Sequence, residues 1–128
     1  IFFISNKDNV NWMDFWSEHV MIFVSKYIVP KGYLGITVFP FVFVRDFNLK
    51  QNKFLLNHER IHLRQQIELL VIPFFVWYGV EFVLRYFQYD NRALAYRNIS
   101  FEREAYQNEK DLNYLKSRPL WFFLKYLS

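Results

Sequence analysis

The period of the apolar positions changes several times along the chain, and each change marks an element. Trp12, Phe15, Trp16, His19, Val20 and Phe23 recur at spacings of three and four, which predicts a helix over residues 12–28 with Asn11 as its N-cap. Pro30, Lys31 and Gly32 end it. The run from Leu34 to Val44 is β-branched and aromatic and predicts a strand, and Pro40 within it places that strand at an edge or gives it a bulge. Helical spacing returns over residues 51–72 and again from Phe74 to Tyr89, with Pro73 as the interruption between them. The uncharged stretch from Leu69 to Val80 is shorter than the roughly 20 residues that span a bilayer, so the second helix reads as a core helix ahead of a shallow membrane contact. Asp90, Asn91 and Arg92 form the next connection.

Residues 99–116 are helical by spacing, and here a helical wheel separates the acidic residues. Glu102 falls within the apolar stripe with Ala105, Tyr106 and Ile99, whereas Glu104, Asn108 and Asp111 gather on the opposite, solvated face. A carboxylate pointing at a core needs a cation or a donor there. After Ser117, a possible cap, Arg118-Pro119 opens a final aromatic helix from Leu120 to Leu127. It reads as a docking helix that closes the core, with a membrane or partner contact as the other reading. The expected fold is α+β and mostly helical: a short N-terminal edge-strand region packed on one functional helix and a C-terminal helical bundle, in a single domain over residues 1–128.

On the wheel of residues 51–72, Gln65, Gln66, His58, His62 and Glu59 share one arc of roughly 120°, and Arg60 and Arg64 point the other way. This polar arc contains His58-Glu59-Arg60-Ile61-His62, the HExxH pattern. Histidines four apart on a helix rise by roughly 6 Å and turn by about 40°, so both imidazoles reach one metal ion. Zinc accepts such nitrogen ligands and keeps a position open in catalytic sites. Glu59 follows the first histidine by one step, which sets its carboxylate beside the water that zinc acidifies rather than on the metal, the place of a general base. Peptide hydrolysis is the reaction class that this pattern predicts.

Two histidines need a third ligand. His19 lies on an apolar face and reads as a core residue. Glu102 is the better choice, since a helix returning antiparallel after the 74–89 segment presents it to His58 and His62; Glu104 and Glu109, nearby in sequence, remain alternatives. The chain has no cysteine, which excludes disulfides and thiolate zinc sites and leaves the compartment open. It opens on Ile1 rather than methionine, so the lack of a signal peptide says little. Aromatic residues make up 23% of the chain and the formal charge is +4, a combination suited to a packed core plus an apolar surface near anionic lipid or an acidic partner. No dense Lys/Arg block argues for nucleic acid.

HExxH followed by a glutamate on a second helix resembles the gluzincin zinc metallopeptidases, the small minigluzincins in particular. Their downstream motif has the form E-x-x-A/S-D, and this chain carries Glu102-Arg103-Glu104-Ala105-Tyr106. The resemblance spans roughly residues 34–112. It implies Zn²⁺ bound by His58, His62 and Glu102, Glu59 as general base, and an extended peptide or protein substrate pairing with the strand around Thr37 to Val44. Tyr106 replaces the family's aspartate, which receives an imidazole hydrogen bond. Its hydroxyl is the candidate for a second catalytic role, at the oxyanion. The alternative reading is a non-catalytic or weakly active accessory subunit that keeps the metal site and uses its aromatic faces to join a membrane-associated protein assembly.

Overall fold

The computed structural model describes residues 21–128. Asn11, His19 and the expected helix up to residue 20 lie outside the described residues. Its remainder is not helical, because Met21–Val24 form a strand, β1. An apolar run of four satisfies both periods, and here pairing decides: β1 lies parallel to Phe41–Val44, β3, from Met21 opposite Phe41 to Val24 opposite Val44. Ser25 then turns the chain, its Oγ accepting from the backbone N–H groups of Tyr27 and Ile28.

The single strand expected over 34–44 is a hairpin. Gly35–Val38, β2, runs antiparallel to β3, with Gly35 opposite Val44 and Val38 opposite Phe41. Pro40 sits in the turn between them, after a cis peptide bond from Phe39, so its missing N–H removes nothing from the ladder. The sheet order is β1-β3-β2, which leaves β2 at an edge. Val42 and Val44 of β3 are buried with Leu63, and Leu55 and Leu56 pack around them. That cluster fixes the sheet to the helix bearing the histidines.

This helix, α1, spans Lys53–Leu69, and Asn52 caps it by accepting from the Leu55 N–H at 3.1 Å. It ends at Leu70, whose φ of 63° breaks the helix, and the next helix, α2 (Val71–Tyr89), leaves at 111°. The break therefore precedes Pro73, which lies in the first turn of α2 where no intrahelical donor is lost. Only one stripe of α2 is inward: Phe74 and Glu81 are buried, and Tyr78 and Phe82 are half-buried. The expected core helix is thus half correct, and its outer face is open.

Asp90 terminates α2 in the left-handed region, and Asn91 starts a short helix, α3 (Arg92–Arg97), by accepting from the Leu94 N–H. The helix expected over 99–116 divides into α4 (Ser100–Asn108) and α5 (Tyr114–Ser117). Ile99 offers α4 no polar cap. Glu81 of α2 supplies one instead, accepting from the Ser100 N–H and Oγ, each at 2.7 Å. The terminal segment is a 3-10 turn over Phe122–Tyr126, not a full helix. Phe123 enters the core with Phe74, Ile99 and Phe101, as expected of a docking segment. The architecture is α+β and mostly helical, with one small sheet against α1.

Candidate metal centre

The α1 register turns His58 and His62 toward α4, and the bond from Glu81 to Ser100 fixes the start of α4 two residues before Glu102. As a result Glu102 Oε2 lies 3.2 Å from His58 Nε2 and 3.1 Å from His62 Nε2, and the two Nε2 atoms are 3.1 Å apart. All three side chains are buried. Among the described residues this is the one group of three whose His, Cys, Asp or Glu donors can share a metal ion. Glu104 and Glu109 are not in it.

The outer sides of both rings are committed. The Gln65 amide nitrogen donates to Phe101 O at 3.2 Å and to Glu104 Oε1 at 3.0 Å, so its oxygen faces His62 Nδ1, at 2.8 Å. That oxygen only accepts, and the proton of neutral His62 therefore sits on Nδ1 and the Nε2 lone pair points inward. His58 Nδ1 meets Glu109 Oε2 at 2.7 Å, which assigns its proton in the same way. Two lone pairs and a carboxylate oxygen then converge, and the trio requires a positive charge at its centre. The electrostatics of His62 express the same need: burial opposes its charged form, but the charge and hydrogen bond of Glu102 outweigh burial and raise its pKa to about 9. Burial likewise opposes ionised Glu102, and the two histidines overcome it and hold that carboxyl well below its ordinary range. The same three donors could hold a metal ion, with the outer nitrogen of each ring already paired.

Glu102 presents one oxygen to the trio because Tyr78 of α2 donates to the other, Oε1, at 2.9 Å. Burial and then Glu102 push the Tyr78 phenol far above its ordinary pKa, so it remains a donor. Glu59 stands beside the trio. Thr37 Oγ1 of β2 donates to its Oε2, and a Cβ on Gly35 would lie 3.0 Å from its Oε1. A side chain at position 35 would therefore require Glu59 or the strand to give by a few tenths of an ångström. Burial raises the Glu59 pKa, opposed by the two histidines and the Thr37 bond, and a raised carboxylate is suited to take up a proton.

Tyr106 does not bond to an imidazole nitrogen. Its ring packs edge-on to His58 with centroids 4.6 Å apart, its hydroxyl meets that of Tyr96 at 3.4 Å, and Arg97 lies 4.1 Å over its face. Glu109, a turn further on, makes the imidazole contact expected of an aspartate at 106. Gln66 also has a structural role: its amide donates to Thr37 O and accepts from the Phe39 N–H, both at 2.7 Å, tying α1 to the outer edge of β2.

The expected solvated face of α4 is also corrected. Glu104 is fully buried, and Arg118 donates to it through Nε and Nη2 at 2.8 to 3.0 Å while pairing with Glu68 through Nη1. Arg64, on the side of α1 away from the histidines, is 2% exposed. The wheel could not see a cation arriving from fourteen residues beyond Glu104.

Two clefts meet at the site. One, of about 310 Å³, is bordered by Glu59, His62 and Glu102, with β2 on one side and Phe74, Phe75, Tyr78 and Phe82 of α2 on another. The other, of about 730 Å³, lies on the His58 and Tyr106 side and carries Lys31, Arg92, Arg97 and Lys110. Tyr33 and Tyr96, in edge contact at 5.1 Å, line both. No protein-family model, curated protein or solved structure matches the chain.

Proposed function

We propose that this protein is a zinc-dependent peptide-bond hydrolase of gluzincin type, with His58, His62 and Glu102 holding the metal and Glu59 as general base. The observation that carries the reading is the convergence of Glu102 Oε2 on both Nε2 atoms at 3.1 to 3.2 Å, with each ring's outer nitrogen already committed. Zinc held there supplies Lewis acidity, polarising a carbonyl and acidifying a water.

The chain's own residues do the rest. Glu59 takes the proton of the attacking water and returns it to the leaving amine. Strand alternation turns the N–H and C=O of Gly35 and Thr37 away from β3, and Gln66 occupies Thr37 O and the Phe39 N–H. Among the described residues, the groups of Gly35 and the Thr37 N–H are left for an extended substrate backbone, next to Glu59. Tyr106 acts through His58, as a positioning residue.

The test is metal analysis of the purified chain together with cleavage of a peptide library. One zinc per chain, lost in His58→Ala, and cleavage reduced at least about 100-fold in Glu59→Gln with zinc retained, is the expected result. Zinc without any Glu59-dependent cleavage would favour the accessory-subunit reading. Absence of stoichiometric zinc, with metal content unchanged in His58→Ala, would overturn both.

A further inference from the structure

Helix α2 is built inside out. Its charged residues are Glu81 and Arg85, and both turn toward the protein: Glu81 is 6% exposed and caps α4, and Arg85 lies 3.7 Å from Glu81 and donates to Leu127 O and Gln88 Oε1. The opposite face exposes Ile72, Val76, Val80, Val83, Leu84 and Phe87, each at least half exposed, and no charge. A surface helix of a water-soluble protein has the reverse arrangement. The face runs roughly 28 Å along the 19 residues of α2. It continues onto the C-terminal segment, where an apolar groove joins Ile72, Trp77 and Leu84 to Leu127 and Leu120, Trp121 and Leu124 are exposed. So large an uninterrupted patch marks a contact with something apolar.

We propose that this face seats the protein on a bilayer containing anionic phospholipid, with α2 lying in the plane of the interface. No single described helix is long and apolar enough to cross a membrane, and α1 leaves α2 at 111°, so α2 lies on the lipid rather than through it. Charge selects the lipid over a second copy of the chain. The chain carries a formal charge of +4, and the C-terminal segment 114–128 contributes exposed Lys116 and Lys125 with no acidic side chain, Arg118 being neutralised by Glu68 and Glu104. Two copies of a chain with this net charge repel one another, whereas anionic headgroups neutralise it. Phe75 belongs both to the exposed surface and to the cleft beside Glu59, so the site opens next to the lipid.

The experiment is co-sedimentation of the full chain with phosphatidylcholine vesicles, with and without about a third phosphatidylglycerol. Expected results are binding at least about tenfold stronger to the anionic vesicles, weakening with salt, and a blue shift of tryptophan emission on binding. Val80→Asp with Val83→Asp, both solvent-exposed, should reduce binding at least about tenfold with an unchanged circular dichroism spectrum. Lys116→Gln and Lys125→Gln should each reduce it about fivefold on anionic vesicles only. The proposal is overturned by failure to bind either vesicle, by binding that none of these variants alters, or by a dimer in light scattering that the Val80/Val83 variant splits while vesicles are ignored. Vesicle binding is read without reference to zinc or cleavage, so this proposal and the hydrolase reading fail separately.

Discussion

Between α1 and α4 lie two buried polar clusters, and they differ in what completes them. Around Arg118 the chain supplies both signs of charge: Glu104 and Glu68 accept from one guanidinium, all with side chains fully excluded from water. Around Glu102 it supplies two imidazole lone pairs and a carboxylate, with a shortage of positive charge. Gln65 touches both, accepting from His62 and donating to Glu104. The first cluster is a finished piece of architecture, and the second has the composition of a receptor. Both glutamates are buried in the fold, and only the partner across the interface separates structure from chemistry.

Removing the guanidinium is the strongest way to break the comparison. Arg118→Met leaves two buried carboxylates without their cation and should destabilise the fold by about 3–5 kcal/mol in urea denaturation. Glu102→Gln should act mainly through the metal. It should abolish zinc binding and the zinc-dependent stabilisation, about 4 kcal/mol at a thousandfold excess over the dissociation constant, and cost the metal-free fold less than Arg118→Met does, because the amide still offers hydrogen bonds to the imidazoles while the attraction between Glu102 and His62 is lost. Equal losses in both variants without metal would erase the distinction between the clusters. Finer resolution comes from the outer contacts. Glu109→Gln keeps an acceptor for His58 Nδ1 but not its charge, and should weaken zinc by about 10- to 100-fold in a competition titration. Tyr78→Phe, which frees Glu102 Oε1, should weaken it only by about fivefold, as expected for one lost hydrogen bond.

Much of the centre was legible because a helix repeats itself. Once His58 and His62 are placed on one face, Gln65 and Gln66 follow, and Glu102 declares itself by interrupting an apolar stripe. Partners supplied by distant segments were not legible. Glu104 read as solvated because nothing on its own helix pairs with it. Glu109 lay outside the motif window, while Tyr78 looked like any aromatic in an apolar run. Among the elements, β1 was hidden because Met-Ile-Phe-Val fits either period, and the hairpin because Phe39-Pro40 is not a glycine- or asparagine-bearing turn. The outer face of α2 read as core since sequence hydrophobicity measures aversion to water and does not say what stands in water's place.

The Gln65 bridge also sets an order in time. His58 and His62 are synthesised first, but the oxygen that faces His62 is aimed by an amide nitrogen held at Phe101 and Glu104, and Glu104 is held in turn by Arg118. A growing chain that has made its histidines has not yet fixed their tautomers. The proposed metal centre therefore takes its final form only once the segment carrying Arg118 has docked.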